Sequence, residues 1–548
     1  MSRATPGWMG ALVLLVGACE AQVGSPPGVS PMGGGAGNST GGSVNNTAGS
    51  GPVDCMQPQA AAVRLTVLSE SQFNNSVLDI LQVPGAPAAG LGEAFDDVSL
   101  EQRANVAANV AAQAAAKLAA WAPCTPPASG SAASCADQII DSIGAKAYRH
   151  PLSDAERAEL KKLFDAGVTE KDFTTGVEWF LTGLLQSPDF VYQVVRPDGS
   201  ETPGEIRPLS AYEYATRLAY FIWDGPPDDA LIAAATNSEL SDSTKRDAQV
   251  SRMMQDQRFS RGIAQFYTRW LKLDGFREAA RDVIEFDQTV VTALSTSLLM
   301  SATELYKTPN PNIASLFSGD TYYLNDVLGT FYGVSGTGPD FQATPMTGQS
   351  RRGVLTHPAL MALLSRQDES FPIGRGLFVL RNVLCAVVPA LPPDFTPPQQ
   401  PEFEEGISTR QRLEQHTADG FCQGCHRMIN PAGFVFEAFD EVGRFRTTDH
   451  GKPIDTSASL ALDMDVDGTY ATGDEFLAKL SESKAMRACF AGKYLDFAVR
   501  NQVTDPANAC SIRAIAQSFG DSGDLKQLVA SVAGSDSFRM RSAEGVGK

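Results

Sequence analysis

Three helix starts stand out in this chain: in each a serine stands three residues ahead of a Gln or Glu, and apolar residues at helical spacing follow. Ser69 and Gln72 precede Phe73, Val77, Ile80 and Leu81. Ser153 and Glu156 precede Leu160, Leu163 and Phe164, with Gly167 as the expected stop. Ser210 and Glu213 precede Tyr214, Leu218, Tyr220, Phe221 and Trp223. In such a pair the serine oxygen takes an unpaired N–H of the first turn, and the longer side chain reaches back to the serine N–H. Each pair therefore marks a helix start. Amphipathic stretches continue at 244–273, 287–306, 369–384, 406–418, 474–500 and 524–534, whereas period-two strand patterns are scarce. The pattern predicts an all-α, multidomain helical protein.

Length and composition bound the function. At 548 residues, three or four compact units are expected. With 43% hydrophobic and 20% charged residues the body is neither disordered nor, lacking a later apolar run, a multispan membrane protein. A net charge of -19 argues against a nucleic-acid partner, since phosphate binding needs clustered Lys and Arg.

Residues 1–18 read as a lipoprotein signal peptide: an apolar run from Trp8 to Val16, then Val16-Gly17-Ala18-Cys19, which resembles a bacterial lipobox. Cys19 is the expected lipidation site. Residues 19–54, mostly Gly, Ser, Pro, Asn, Thr, Ala and Val, form a flexible tether spanning roughly 30 Å root-mean-square. Glu20 does not resemble the inner-membrane retention signal, so the expected address is the outer membrane, on its periplasmic side or the cell surface. The partners expected are the lipid membrane, through the acyl anchor, and a redox protein or an unidentified substrate. The body divides into helical segments at 55–122, 123–200 and 205–335, and a helical connector at 350–388. A Pro-rich spacer at 389–401, a segment at 402–460 and a C-terminal helical segment at 461–548 complete it.

Cysteine arithmetic isolates one chemical motif. Setting Cys19 aside, Cys422-Gln423-Gly424-Cys425-His426 matches the C-x-x-C-H pattern for covalent haem, in which two thiols bond the vinyl groups and the adjacent imidazole binds iron as proximal ligand. The cofactor expected at 402–460 is thus haem c. Six cysteines remain. The economical local pairs are Cys124–Cys135 and Cys489–Cys510, which leaves Cys55–Cys385. Two competing readings are a bare Cys422–Cys425 disulfide and a zinc site using His416, Cys422, Cys425 and His426. Neighbouring Cys425 and His426 reach one tetrahedral metal only with strain. The sixth haem ligand stays open between His416, a methionine (Met464 or Met486) and an open site. His150, His357 and His450 sit beside loops or proline and are not expected as ligands.

Asp463, Asp465 and Asp467, followed by Gly468, resemble the opening of a calcium loop, with Asp474 in the closing position. No entering helix precedes them, and a solvated acidic turn is the competing reading. Aromatic residues at 319–334 are candidates for a binding face or for core.

The order of several blocks resembles a known group. Phe73-Asn74-Asn75-Ser76-Val77-Leu78-Asp79-Ile80-Leu81, Tyr148-Arg149-His150-Pro151-Leu152-Ser153 and Ser187-Pro188-Asp189-Phe190 come first. Arg217-Leu218-Ala219-Tyr220-Phe221-Ile222-Trp223 and Arg352-Gly353-Val354-Leu355-Thr356 follow. The strongest block joins Arg412-Leu413-Glu414-Gln415-His416, the C-x-x-C-H motif, Asn430-Pro431-Ala432-Gly433-Phe434 and Phe439-Asp440-Glu441-Val442-Gly443-Arg444. Over residues 63–541 the chain resembles the exported planctomycete and myxobacterial multidomain proteins of unknown function with a cytochrome c-like segment. Asn430 stands where that family usually has Asp. The resemblance implies architecture and a haem, but no substrate. The leading expectation is a membrane-anchored mono-haem protein acting in electron transfer or as the redox module of an oxidoreductase. The rivals are a non-redox surface lipoprotein and a haem enzyme with an open sixth site.

Overall fold

All three capping boxes form. In the computed structural model of the chain they open the helices Glu70–Leu81, Asp154–Glu170 and Ala211–Ile222, with both reciprocal hydrogen bonds in each. A fourth, Ser408 with Gln411, opens Thr409–His416. The structure describes residues 55–543, except 56, 61–65, 85–96, 127–132, 194–201, 203, 279–280, 282, 347, 391–395, 397–405, 501–505 and 521. The signal peptide, Cys19, the tether and most of the Pro-rich spacer therefore lie outside the described residues.

The protein is mostly helical, as the pattern predicted. Strands contribute only five two-stranded antiparallel pairs among the described residues. Two of these join distant parts of the chain: Thr66–Val67 pairs with Tyr192–Gln193, and Ile206–Pro208 pairs with Met540–Ser542. No helix among the described residues is long and apolar enough to cross a membrane.

Gly167 does not stop its helix, which runs on to Glu170. It is instead a close-packing position: a Cβ there would meet the Thr175 carbonyl at 2.6 Å and Gly176 Cα at 2.8 Å. Only a residue without a side chain lets Asp154–Glu170 lie so tightly against Phe173–Gln186.

The described residues form one unit with two hydrophobic cores. The first gathers apolar side chains from Phe73 to Val191, so segments 55–122 and 123–200 share it. The second gathers residues from Leu209 to Phe538, so the segments expected at 205–335, 350–388, 402–460 and 461–548 merge. Short helices with one apolar stripe cannot bury that stripe alone, and neighbouring segments close over one another. Polar contacts tie the cores. Arg149 donates to the Phe190 carbonyl at 3.2 Å and to the Tyr220 hydroxyl at 3.0 Å, which also meets Ser76 at 2.9 Å. Arg261 pairs with Asp79 at 2.9 Å.

Two of the three expected disulfides are corrected. Cys124–Cys135 forms, but Cys489 pairs with Cys385 and Cys55 with Cys510, in place of Cys489–Cys510 and Cys55–Cys385. Sequence economy favoured the shorter loop between 489 and 510. The fold instead sets Cys489, in helix Lys484–Val499, beside the end of the π-helical turn Val379–Val383.

Candidate haem-attachment site

The C-x-x-C-H motif lies in the helix Gly420–Phe434, whose first turn is capped by Asp419 accepting from the Phe421 N–H at 2.9 Å. Spacings of three and four residues bring Cys422, Cys425 and His426 to one helix face. All three are half-buried, and both thiols are unpaired. The C-terminal end of the same helix crosses Pro372–Phe378 at glycine positions. A Cβ at Gly433 would run into the Pro372 carbonyl, and one at Gly376 into that of Ile429. Backbone contact replaces side-chain contact there, which fixes the position of the motif helix.

A buried polar network holds this crossing. The fully buried Arg375 guanidinium donates to the carbonyls of Phe436 (2.8 Å), Phe439 (2.7 Å) and Asp440 (2.8 Å). It lies 3.7 Å from the equally buried Glu437 carboxylate. Burial pulls Arg375 down to about 10 and pushes Glu437 upward. Arg446 bridges Glu437 at 3.5 Å and Asp449 at 2.6 Å. Asp449 in turn accepts from the Thr409 N–H at 2.6 Å, anchoring Thr409–His416.

His426 is oriented within its own helix. Its Nδ1 lies 2.8 Å from Oδ1 of Asn430, one turn on. Asn430 donates through Nδ2 to the Thr417 hydroxyl at 2.9 Å, and that hydroxyl donates to the Leu413 carbonyl at 2.8 Å. Because the Thr417 hydrogen is committed to Leu413, its oxygen must accept, so the amide turns its NH2 to Thr417 and its oxygen to His426. The Nδ1 atom then carries the proton, and Nε2 keeps its lone pair. Nε2 makes no hydrogen bond among the described residues. This donor set fits a c-type haem: two free thiols on one helix face and an imidazole with a free Nε2.

The zinc arrangement does not form. Among the described residues no three His, Cys, Asp or Glu side chains gather in metal-binding geometry, so His416, Cys422, Cys425 and His426 do not converge. His416 ends its helix half-buried, directly before Thr417. Met464 packs partly buried against the second core, and Met486 is fully buried in it.

The calcium-loop carboxylates do not gather in metal-binding geometry among the described residues. Asp463, Asp465 and Asp467 sit in the connection of a hairpin, between Ala458–Leu460 and Gly468–Tyr470. The Asp465 and Asp467 carboxylates bond different partners. Asp467 accepts from the Leu462 N–H (2.7 Å) and Met464 N–H (3.3 Å) of its own turn. Asp465 accepts from the Ser483 hydroxyl (2.6 Å) and the Lys484 N–H (2.5 Å), capping the next helix. Asp474 lies in the first turn of Gly473–Ser481. The Asp465 and Asp467 oxygens are thus engaged by the Ser483 hydroxyl and by backbone N–H groups.

Two features escaped sequence reading, and a third takes the core side of an alternative the sequence left open. His357 is buried and caps Pro358–Leu363, with Nδ1 accepting from the Ala359 N–H at 3.1 Å and Nε2 facing the Ser297 hydroxyl at 3.1 Å. Tyr322 and Tyr332, from the aromatic stretch, are core residues whose hydroxyls donate to the Gly353 and Val442 carbonyls. The Asn430 relay was missed too, although Asn four residues after His is a visible i,i+4 signal.

Four families match the chain, each described as a protein of unknown function. They are DUF1595 at 135–194, DUF1592 at 209–334, DUF1588 at 351–449 and DUF1585 at 468–538. The third match runs across the Pro-rich stretch and contains the motif helix. No curated protein and no solved structure matches the chain.

Proposed function

We propose that this chain, which carries the four domains of the planctomycete-type multidomain family of unknown function, binds one covalent haem c and serves in electron transfer or as the redox module of an oxidoreductase. The observation that carries this reading is the His426 arrangement: an imidazole with Nδ1 satisfied by Asn430 and Nε2 unengaged, on the same helix face as two unpaired thiols. Cys422 and Cys425 would hold the group by thioether bonds, and His426 Nε2 would ligate the iron. When bound, haem supplies a one-electron couple. The chain's residues fix the ring's orientation, anchor the motif helix at Gly376 and Gly433, and shield one side of it with the second core.

For the opposite face, the half-buried His416 needs less unpacking than Met486, which is enclosed by core side chains. Met464 and an open position are the other choices. An open position would make the protein a haem enzyme, and ready binding of carbon monoxide would mark it. The lipobox-like Val16-Gly17-Ala18-Cys19 supports an outer-membrane address through a lipidated Cys19, facing the periplasm or the cell exterior, and the haem reading calls for a redox protein or a substrate as partner.

The second reading is a non-redox surface lipoprotein in which Cys422 and Cys425 form a disulfide. Colour separates the two. The chain is expressed for export with a haem-maturation system, and its absorption spectrum and pyridine haemochrome are recorded beside a Cys422→Ala/Cys425→Ala control. A covalent c-type signal that the control lacks is the expected result. A colourless folded protein with a Cys422–Cys425 disulfide sinks the haem reading.

A further inference from the structure

We infer that Asn430 is the positioning residue of the motif helix, holding His426 in the Nδ1–H form through a relay whose direction Thr417 sets; the consequence for iron rests on the haem reading above. The relay runs Leu413 carbonyl, Thr417 hydroxyl, Asn430 amide, His426 imidazole, at 2.8, 2.9 and 2.8 Å. Thr417 is 5% and Asn430 7% exposed, so water does not replace these bonds at low cost. An amide with free rotation would present NH2 or oxygen to the ring with similar ease. The Thr417 hydroxyl removes that freedom, because its own hydrogen goes to Leu413. Were the amide reversed, two acceptors would face each other at Thr417 and the ring would be held as Nε2–H, with no lone pair for a metal.

The choice of an amide is also chemical. Asn430 carries no charge, so it accepts the Nδ1–H bond without drawing the proton away from the ring. A carboxylate at the same distance would increase the basicity of Nε2 and favour ferric over ferrous iron. Thr417 follows His416 directly and caps the preceding helix. The relay therefore ties the two helices on either side of the motif's N-terminus to the orientation of one imidazole.

The test has a haem-free arm and a haem arm. The full chain with Cys422→Ala/Cys425→Ala is labelled with ¹⁵N-histidine, and long-range ¹H–¹⁵N spectra are recorded at pH 8. His426 is expected as the Nδ1–H tautomer. Thr417→Val and Asn430→Leu should each shift the population toward Nε2–H. A His426 that is Nε2–H in the otherwise unaltered chain overturns the inference, whether or not either variant folds. In the haem-loaded chain Asn430→Asp, close in shape, is expected to raise the ferric preference about tenfold, a fall of ~59 mV in midpoint potential for one electron. An unchanged potential overturns the electronic part. Absence of haem from the parent chain would count against the proposed function alone, because the tautomer arm needs no haem.

Discussion

The two cores are held by different means. In the first, helices from Glu70 to Val191 bury mostly apolar side chains, and the one disulfide closes a local loop between Cys124 and Cys135. Several of its ion pairs lie at the surface, such as Lys161 with Asp165 and Lys162 with Glu159. In the second, a buried guanidinium and a buried carboxylate hold the end of the motif helix, and the same core contains a capping histidine and a disulfide across 104 residues. Apolar packing tolerates small shifts. Directed polar contacts do not, and in the second core they hold the helix that carries an imidazole and two thiols.

Removing disulfides should separate the cores most clearly. Loop-closure entropy puts loss of Cys385–Cys489 at about 5 kcal/mol and loss of Cys124–Cys135 at about 3 kcal/mol. Denaturant melts of the Cys→Ser pairs, with hydrogen exchange to locate the damage, should show the first in the second core and the second in the first. Equal and global losses would mean that the cores unfold as one.

Arg375→Met comes next. It strands Glu437 in the interior and frees three carbonyls, and should cost about 3–5 kcal/mol. Exchange protection of Gly420–Phe434 should fall while that of Phe173–Gln186 persists. Comparable protection in both helices would show that the network does not hold the site.

The response to pH sharpens the contrast with a somewhat smaller effect, on the order of 2–4 kcal/mol. Burial holds His357, in the second core, at about 3, below its ordinary 6.5. The unfolded chain then binds the extra proton, so stability is present above pH 6.5 and is lost as pH falls from there toward 3. Asp224, beside Asn75 where the cores meet, is pushed by burial to about 6. Its sign is opposite: the contribution is complete below pH 3.8 and is lost as pH rises through 6. Thermal melts of His357→Gln and Asp224→Asn across pH 4–8 should flatten the acid and the neutral limb respectively. If both variants keep the parent profile, other groups set it.

The smallest effect belongs to the caps. Ser153→Ala in the first core and Ser408→Ala before the motif should each cost about 1 kcal/mol in melts. Only the second should also loosen the motif region, because Ser408 starts the helix that carries Thr417 as its cap.

The helices were legible because their signals are local. A Ser-x-x-Glu pair, the i,i+3 spacing of two cysteines and a following histidine all act within a turn or two, where chain connectivity already brings the groups together. The chain by itself determined the helical class, the three boxes and the shared face of Cys422, Cys425 and His426. It also carried the one short disulfide. Tertiary structure decided which distant cysteines meet, that Gly167 packs rather than terminates, and that four apparent segments share one core. It also decided that Asp465 accepts from the Ser483 hydroxyl and the Lys484 N–H. The cysteine pairings and the shared core turn on contacts between residues far apart in sequence, and the Gly167 and Asp465 contacts on packing against the next elements. Such contacts depend on which helix faces close over which, and no short pattern records that.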